Sequence, residues 1–188
     1  VDFGLFLEDE SVDRFEKAAV QKSVNVLPTQ TYYTFTCGPV ELDLIFTAPL
    51  LMDDLDLLST PVNYISYQVR PVDGKEHDVQ LYVEATPDWA INSPGQEVET
   101  TFSEDGNLLF AKTGTIEQPI LQKKGDNVRI DWGYFYLASG KKKNAAIRIG
   151  EYKDIKSQFI NTGNIVLPHF LETKTQSSSA VLAYSEDM

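Results

Sequence analysis

Residues 61–86 read Pro61-Val-Asn-Tyr-Ile-Ser-Tyr-Gln-Val-Arg-Pro-Val-Asp-Gly-Lys-Glu-His-Asp-Val-Gln-Leu-Tyr-Val-Glu-Ala-Thr86. In the second half Val79, Leu81, Val83 and Ala85 fall on one face and Asp78, Gln80, Tyr82 and Glu84 on the other, the period of two that marks a half-buried strand. The first half alternates in the same way, with Ile65, Tyr67 and Val69 against Ser66, Gln68 and Arg70. Between the arms Asp73-Gly74 supplies residues that tolerate positive φ, so the stretch predicts a β-hairpin. Tyr67, Val69, Leu81 and Val83 are then core residues. Tyr64 and Tyr82 lie on the opposite face as candidates for an interface with a neighbouring domain.

The same pattern extends in both directions. Upstream, Ser23 to Leu27 and Thr29 to Thr36 read as two strands with a corner at Pro28, and Val40 to Thr47 as a third after the Gly38-Pro39 turn. Leu50 to Ser59 mixes leucines with Asp53, Asp54 and Asp56 between two prolines, which predicts a connecting loop or short helical turn. Downstream, Glu97 to Phe102 and Leu108 to Thr113 flank a Gly106-Asn107 turn, another hairpin signal. Thr115 to Lys123 is expected to be an edge strand or connection because of Pro119, and Val128 to Ala138 a central strand, apolar on both faces. Ala145 to Ile149 is a short strand. Glu151 to Asn161 is the one convincing helix, with Tyr152, Ile155, Phe159 and Ile160 at helical spacing and Gly163 as its stop. Thr173 to Ser179 reads as a loop before a last strand at Ala180 to Tyr184. About ten short strands with turns every 8 to 12 residues or so predict a mainly β fold. The expected architecture is an antiparallel β-sandwich, supersandwich-like, with one short helix in the C-terminal half. Residues 1–20 read as a loosely attached leading segment and 21–188 as a single β-sandwich domain, part of a larger multidomain protein.

Bulk composition narrows the function classes. The 188 residues are 42% hydrophobic and 11% aromatic, enough for a packed core without metals or disulfides. A net charge of −12 repels polyanions over most of the surface, so no nucleic acid partner is expected. One cysteine excludes an internal disulfide and a cysteine-based zinc cluster. No apolar run approaches the roughly 18 to 20 residues of a membrane span. The chain begins at Val1 and reads as a mature segment or a piece of a longer chain, with other domains expected to flank it.

Candidate chemistry is sparse. A catalytic thiol at Cys37 needs a base, and only His77 and His169 are available, so a structural thiol is the preferred reading. His77 falls at the expected hairpin turn and reads as solvated, while His169 in Leu167-Pro168-His169-Phe170 reads as packed or capping. Asp53, Asp54 and Asp56 carry oxygen ligands for a cation but lack the spacing of a calcium loop, and a solvated acidic loop is preferred. No glycine-rich phosphate loop, nucleophile elbow or zinc-protease helix motif occurs. Tyr32, Tyr33, Tyr64, Tyr67, Tyr82, Trp89, Trp132, Tyr134 and Tyr136 remain. On an exposed sheet face they are able to stack on sugar rings, although a core or domain interface is the commoner use.

Three stretches together carry a resemblance: Lys22-Ser-Val-Asn-Val-Leu-Pro-Thr-Gln-Thr-Tyr-Tyr33, Val40-Glu-Leu-Asp-Leu-Ile-Phe-Thr-Ala-Pro49 and Asp73-Gly-Lys-Glu-His-Asp-Val-Gln-Leu-Tyr82. The chain is similar to the N-terminal β domain of the glutaminase A family, over Gln21 to Tyr136 well and more weakly beyond. The resemblance implies a secreted, periplasmic or cell-envelope protein whose parent hydrolyses L-glutamine to L-glutamate and ammonia. It also implies a separate α-helical toroid downstream as the catalytic part and as the partner of this domain. No catalytic residue, metal ligand or cofactor is carried over. The function expected is therefore a non-catalytic β domain that packs on the helical domain and shapes its entrance. The alternatives are a carbohydrate-binding module of a glycoside-hydrolase-like enzyme, with a glycan as partner, and a fragment that is itself an enzyme.

Overall fold

Alternating side chains decide which face of a strand is buried, and strand order then follows from which apolar rows find each other. The structure, a computed structural model, describes residues 3–4, 17–166 and 170–188. The chain divides into two compact units, residues 1–77 and 78–188. The reading of residues 1–20 as a leading segment, like that of His169, falls largely or wholly outside the described residues. Within the described part of that stretch β1 (Phe3–Gly4) pairs in parallel with β2 (Lys17–Ala18).

The first unit is built on one antiparallel meander, in the order β3 (Val20–Val26), β4 (Gln30–Cys37), β5 (Val40–Thr47) and β6 (Tyr64–Pro71). β3 and β4 form a hairpin closed by the Leu27 N–H donating to the Gln30 carbonyl, 2.8 Å, where a corner is expected from Pro28. Register places Tyr33 and Phe35 beside Leu44 and Leu42, and these beside Tyr67 and Val69, so one face of the sheet is apolar from strand to strand. A short helix, α1 (Leu55–Ser59), lies in the connection from β5 to β6.

The second unit is a β-sandwich with a helix on one side. One sheet runs β10 (Phe135–Gly140), β9 (Leu108–Thr115), β8 (Glu97–Asp105) and β12 (Glu172–Gln176); the other runs β11 (Ala145–Glu151), β13 (Ala180–Asp187) and β7 (Gln80–Ala85). Val98, Thr100 and Phe102 of β8 and Leu109, Ala111 and Thr113 of β9 point inward toward Ile147, Ile149 and Leu182, and all are buried. The opposite face of the second sheet packs on α2 (Tyr152–Thr162), where Ile155, Ile165, Val181 and Ala183 form a buried cluster. β13 is therefore covered on both sides, which accounts for its unbroken Ala180-Val-Leu-Ala-Tyr184 run. A 3-10 turn, Pro87–Ala90, precedes β8.

The fold is thus mainly β with three antiparallel sheets, as the alternation predicts. Three local expectations are corrected. The hairpin at 61–86 does not form: β6 pairs with β5 and β7 with β13, and the unit boundary falls between them. Each arm alternates as expected, and Asp73-Gly74 does turn, with the Lys75 N–H donating to the Asp73 side chain at 3.1 Å. Alternation sets the facing of a strand and leaves its partner open. Residues 128–134 are not strand, because Gly133 sits at φ +81 and Asp131 is held by the loop; β10 begins at Phe135 and is an edge strand. Residues 116–123 form a connection, one of the two forms expected of them, with Gln118 and Leu121 at positive φ. Thr173 to Gln176 is strand where a loop is expected, since Thr173 and Thr175 share a half-buried face, alternating with exposed Lys174 and Gln176, on the edge strand beside β8.

Candidate functional site

The residues singled out from sequence do not converge. Cys37 ends β4 half-buried, and burial pushes its thiol pKa up, away from the reactive thiolate. His77 Nε2 lies 2.9 Å from Asp73 Oδ1. That histidine, in place of free solvation, holds the Asp73 carboxyl below its ordinary range. Asp54 is the N-cap of α1, its side chain accepting from the Leu57 N–H at 2.9 Å, and Asp53 and Asp56 are exposed beside it. Among the described residues no group of three or more His, Cys, Asp or Glu side chains is placed to hold a metal ion. Tyr82 is packed, its ring stacked on Phe159 at 4.7 Å and its hydroxyl donating to Glu84 at 2.7 Å. Burial, then the Glu84 charge, drives its pKa far up. Tyr64, the other interface candidate, is exposed.

What the structure does bring together is the polar face of the β3–β6 sheet. Three rows cross it. Thr36, Glu41 and Arg70 form the first, Thr34, Asp43 and Gln68 the second, and Tyr32, Ile45 and Ser66 the third. A β-bulge between Gln21 and Ser23 leaves Lys22 unpaired in the ladder and aims it at this face, where its Nζ donates to Glu41. Arg70 bridges two carboxylates, one guanidinium nitrogen on Glu41 and the other on Asp43. The Thr34 hydroxyl donates to Asp43 Oδ1 at 2.8 Å. Lys22 first, then Arg70, keeps the Glu41 carboxyl below the usual range, and Arg70 followed by Thr34 does the same for Asp43. Both carboxylates are therefore ionised and fixed at neutral pH. Beside them Tyr32, Ile45, Ser66 and Gln68 line a hollow of about 450 Å³ together with Thr34 and Asp43. A second hollow of about 270 Å³, lined in part by Gln30, Thr47 and Tyr64, continues along the same strands. The Tyr32 hydroxyl donates to Gln30 Oε1 at 2.5 Å, and Gln30 in turn donates to Thr47 at 3.2 Å, so the ring of Tyr32 is held in place.

Of these residues only Tyr32 and Tyr64 stand out from sequence. Ser66, Gln68 and Arg70 are visible there as the polar side of a strand, and Glu41 and Asp43 likewise. Acids at i and i+2 on one strand share a face, where a cation on a neighbouring strand stabilises them.

The second unit has its own ionic contacts, which are structural. Asp131 is buried with its carboxylate on Lys123 and on Gln96 at 3.0 Å, and its backbone carbonyl accepts from Thr115 at 2.6 Å. Lys123 chiefly keeps its pKa low. Lys156 is buried under α2, bonded to Tyr152 and 3.2 Å from Glu84. Burial works to lower its pKa, but the bond to Tyr152 and the Glu84 charge outweigh burial and leave it raised.

These features define a β-sandwich-like module with an ordered polar sheet face. Residues 29–188 match the family described as a domain of unknown function, DUF5127, and the chain belongs to that family. It is also similar to Glutaminase A of Aspergillus oryzae, at 23% identity over 171 residues, or 89% of this chain and 24% of that protein. The chain thus spans about a quarter of the length of the curated relative it matches. No helix among the described residues is long and apolar enough to cross a membrane.

Proposed function

We propose that the chain is a non-catalytic accessory domain of a larger glutaminase A-like hydrolase, packing on the remainder of that protein and shaping the approach to its active site. The observation that carries this reading is the asymmetry of the match, nearly all of this chain against a quarter of glutaminase A. The reaction of the parent, by the same likeness, is hydrolysis of L-glutamine to L-glutamate and ammonia. The connection from β5 to β6 supports a packing role. Leu50, Leu51, Met52 and Leu55 are all at least half exposed there, Met52 at 85%, an apolar set that isolated domains rarely leave in water.

The test compares residues 1–188 with the full-length parent for ammonia release from L-glutamine. The parent is expected to turn over and residues 1–188 alone to be inactive; robust turnover by residues 1–188 sinks the reading. In the parent, Met52→Glu with Leu55→Glu is expected to loosen the attachment, read as faster protease cleavage between this domain and the rest. Unchanged cleavage counts against packing through this connection.

A further inference from the structure

We propose that the polar face of the β3–β6 sheet is a binding site for a neutral glycan, with one sugar ring seated over Ile45 and Ser66 against the ring of Tyr32. The proposal is independent of the accessory role and stands or falls separately.

Shape comes first. Small Thr34 and Ser66 stand among the larger Tyr32, Ile45 and Gln68, and a hollow of about 450 Å³ opens on the sheet face there. That size lies within the range of about 300–1,000 Å³ typical of small-ligand sites. The next row along the strands, Gln30, Thr47 and Tyr64, borders the second hollow. A linear chain of sugars laid diagonally across β5, from β4 to β6, meets Tyr32 and then Tyr64. A single enclosed metabolite has no use for such a track.

The lining matches sugar chemistry. A pyranose presents an apolar C–H face to an aromatic ring and a rim of hydroxyls to hydrogen-bonding groups. Tyr32 supplies the ring, locked by its bond to Gln30. Asp43 supplies carboxylate lone pairs beyond those taken by Arg70 and Thr34, and hydroxyl-to-carboxylate bonds are among the stronger hydrogen bonds. Ser66 and Gln68 are exposed, and their side chains make no hydrogen bond within the protein among the described residues. They offer both donors and acceptors to a ligand. Because Asp43 and Tyr32 are already held, binding orders few new rotamers.

Charge selects the kind of glycan. The charges of Glu41 and Asp43 are cancelled by Lys22 and Arg70, and it is the −12 carried by the chain overall that disfavours sulfated, phosphorylated or uronic chains. Arg70 and Lys22, the cations available to an acidic sugar, are committed to the two carboxylates.

The experiment is calorimetric titration of residues 1–188 with soluble hexasaccharides of cellulose, xylan, mannan and laminarin, with polygalacturonate as the anionic probe. Binding of at least one neutral hexasaccharide is expected, and none of polygalacturonate. Tyr32→Ala and Gln68→Ala are each expected to weaken that binding about tenfold or more. Tyr134→Ala, on the second unit, is expected to leave it unchanged. The Gln68 side chain is exposed and makes no hydrogen bond among the described residues, so Gln68→Ala keeps the test meaningful if Tyr32→Ala unfolds the sheet. No heat with any neutral hexasaccharide at millimolar concentration, preference for polygalacturonate, or binding untouched by Gln68→Ala each overturns the proposal.

Discussion

Thr100 and Thr113 face each other across β8 and β9, both fully buried, with their hydroxyls 2.9 Å apart. Replacing either with valine keeps the branched shape and the strand preference but removes one partner of the bond. Thr100→Val leaves the Thr113 hydroxyl buried among Val98, Phe102 and Ala111 with nothing to bond, a loss of about 1–3 kcal/mol. Thr113→Val does the same to Thr100. With both replaced no polar atom is stranded and two more methyl groups fill the core. The double variant is therefore expected to lie within about 1 kcal/mol of the parent chain, well short of the sum of the singles. Urea unfolding followed by tryptophan fluorescence isolates the effect, because both tryptophans, Trp89 and Trp132, belong to the 78–188 unit. A double variant as unstable as the two singles added together refutes the argument, as does either single with no loss.

Acid is expected to destabilise the fold in a definite window. Glu41, Asp43 and Asp131 all have pKa values lowered by cationic partners in the folded state, Glu41 by Lys22 first, Asp43 by Arg70 and Asp131 by Lys123. Their contribution is complete above the ordinary carboxylate range of about 4 and is lost as pH falls through the lowered folded values, so thermal midpoints measured from pH 6 downward are expected to drop below about pH 4. A flat profile there contradicts the ion pairs. Gly163, at φ +72, ends α2 by donating its N–H to the Phe159 carbonyl at 2.7 Å, and a Cβ there meets the Gln80 side chain at 3.3 Å. Gly163→Ala is expected to lose about 1–2 kcal/mol in the same fluorescence assay, and a neutral result argues against the left-handed cap. Residues 78–188 expressed alone are expected to unfold cooperatively, since β7 takes its partner from within that unit. A non-cooperative transition refutes the boundary after His77.

How far the chain can be read without a structure depends on whether a feature is local. β5 and α2 carry their own signals, in Val40 to Thr47 a clean alternation and in Tyr152 to Thr162 a helical stripe with a glycine stop, and both lie where those signals put them. The arms at 64–71 and 80–85 show the limit. Both are strands, but nothing in them says that Leu42, Leu44 and Phe46 await one and Leu182 and Tyr184 the other. Residues 128–134 mislead for another reason, because the apolar alternation of Ile130, Trp132 and Tyr134 is overridden by Gly133 and by the buried Asp131. The polar face is hidden in the same way as the partners. Glu41 and Asp43 are visible as the solvent side of a strand, but their meeting with Arg70, Lys22 and Thr34 exists only once four strands and a bulge are in register.

The partnership of β7 with β13 also sets a schedule for synthesis. β7 is complete roughly a hundred residues before β13 is made, and at about 5–20 residues per second a ribosome takes on the order of 5 to 20 s to supply its neighbour. Through that interval Leu81 and Val83 belong to a lone strand, and α2, made shortly before β13, then waits for the strand that completes its sheet. The second unit therefore closes late, by a long-range pairing, and a nascent chain paused before Ala180 is the form most exposed to mispairing and to chaperone capture.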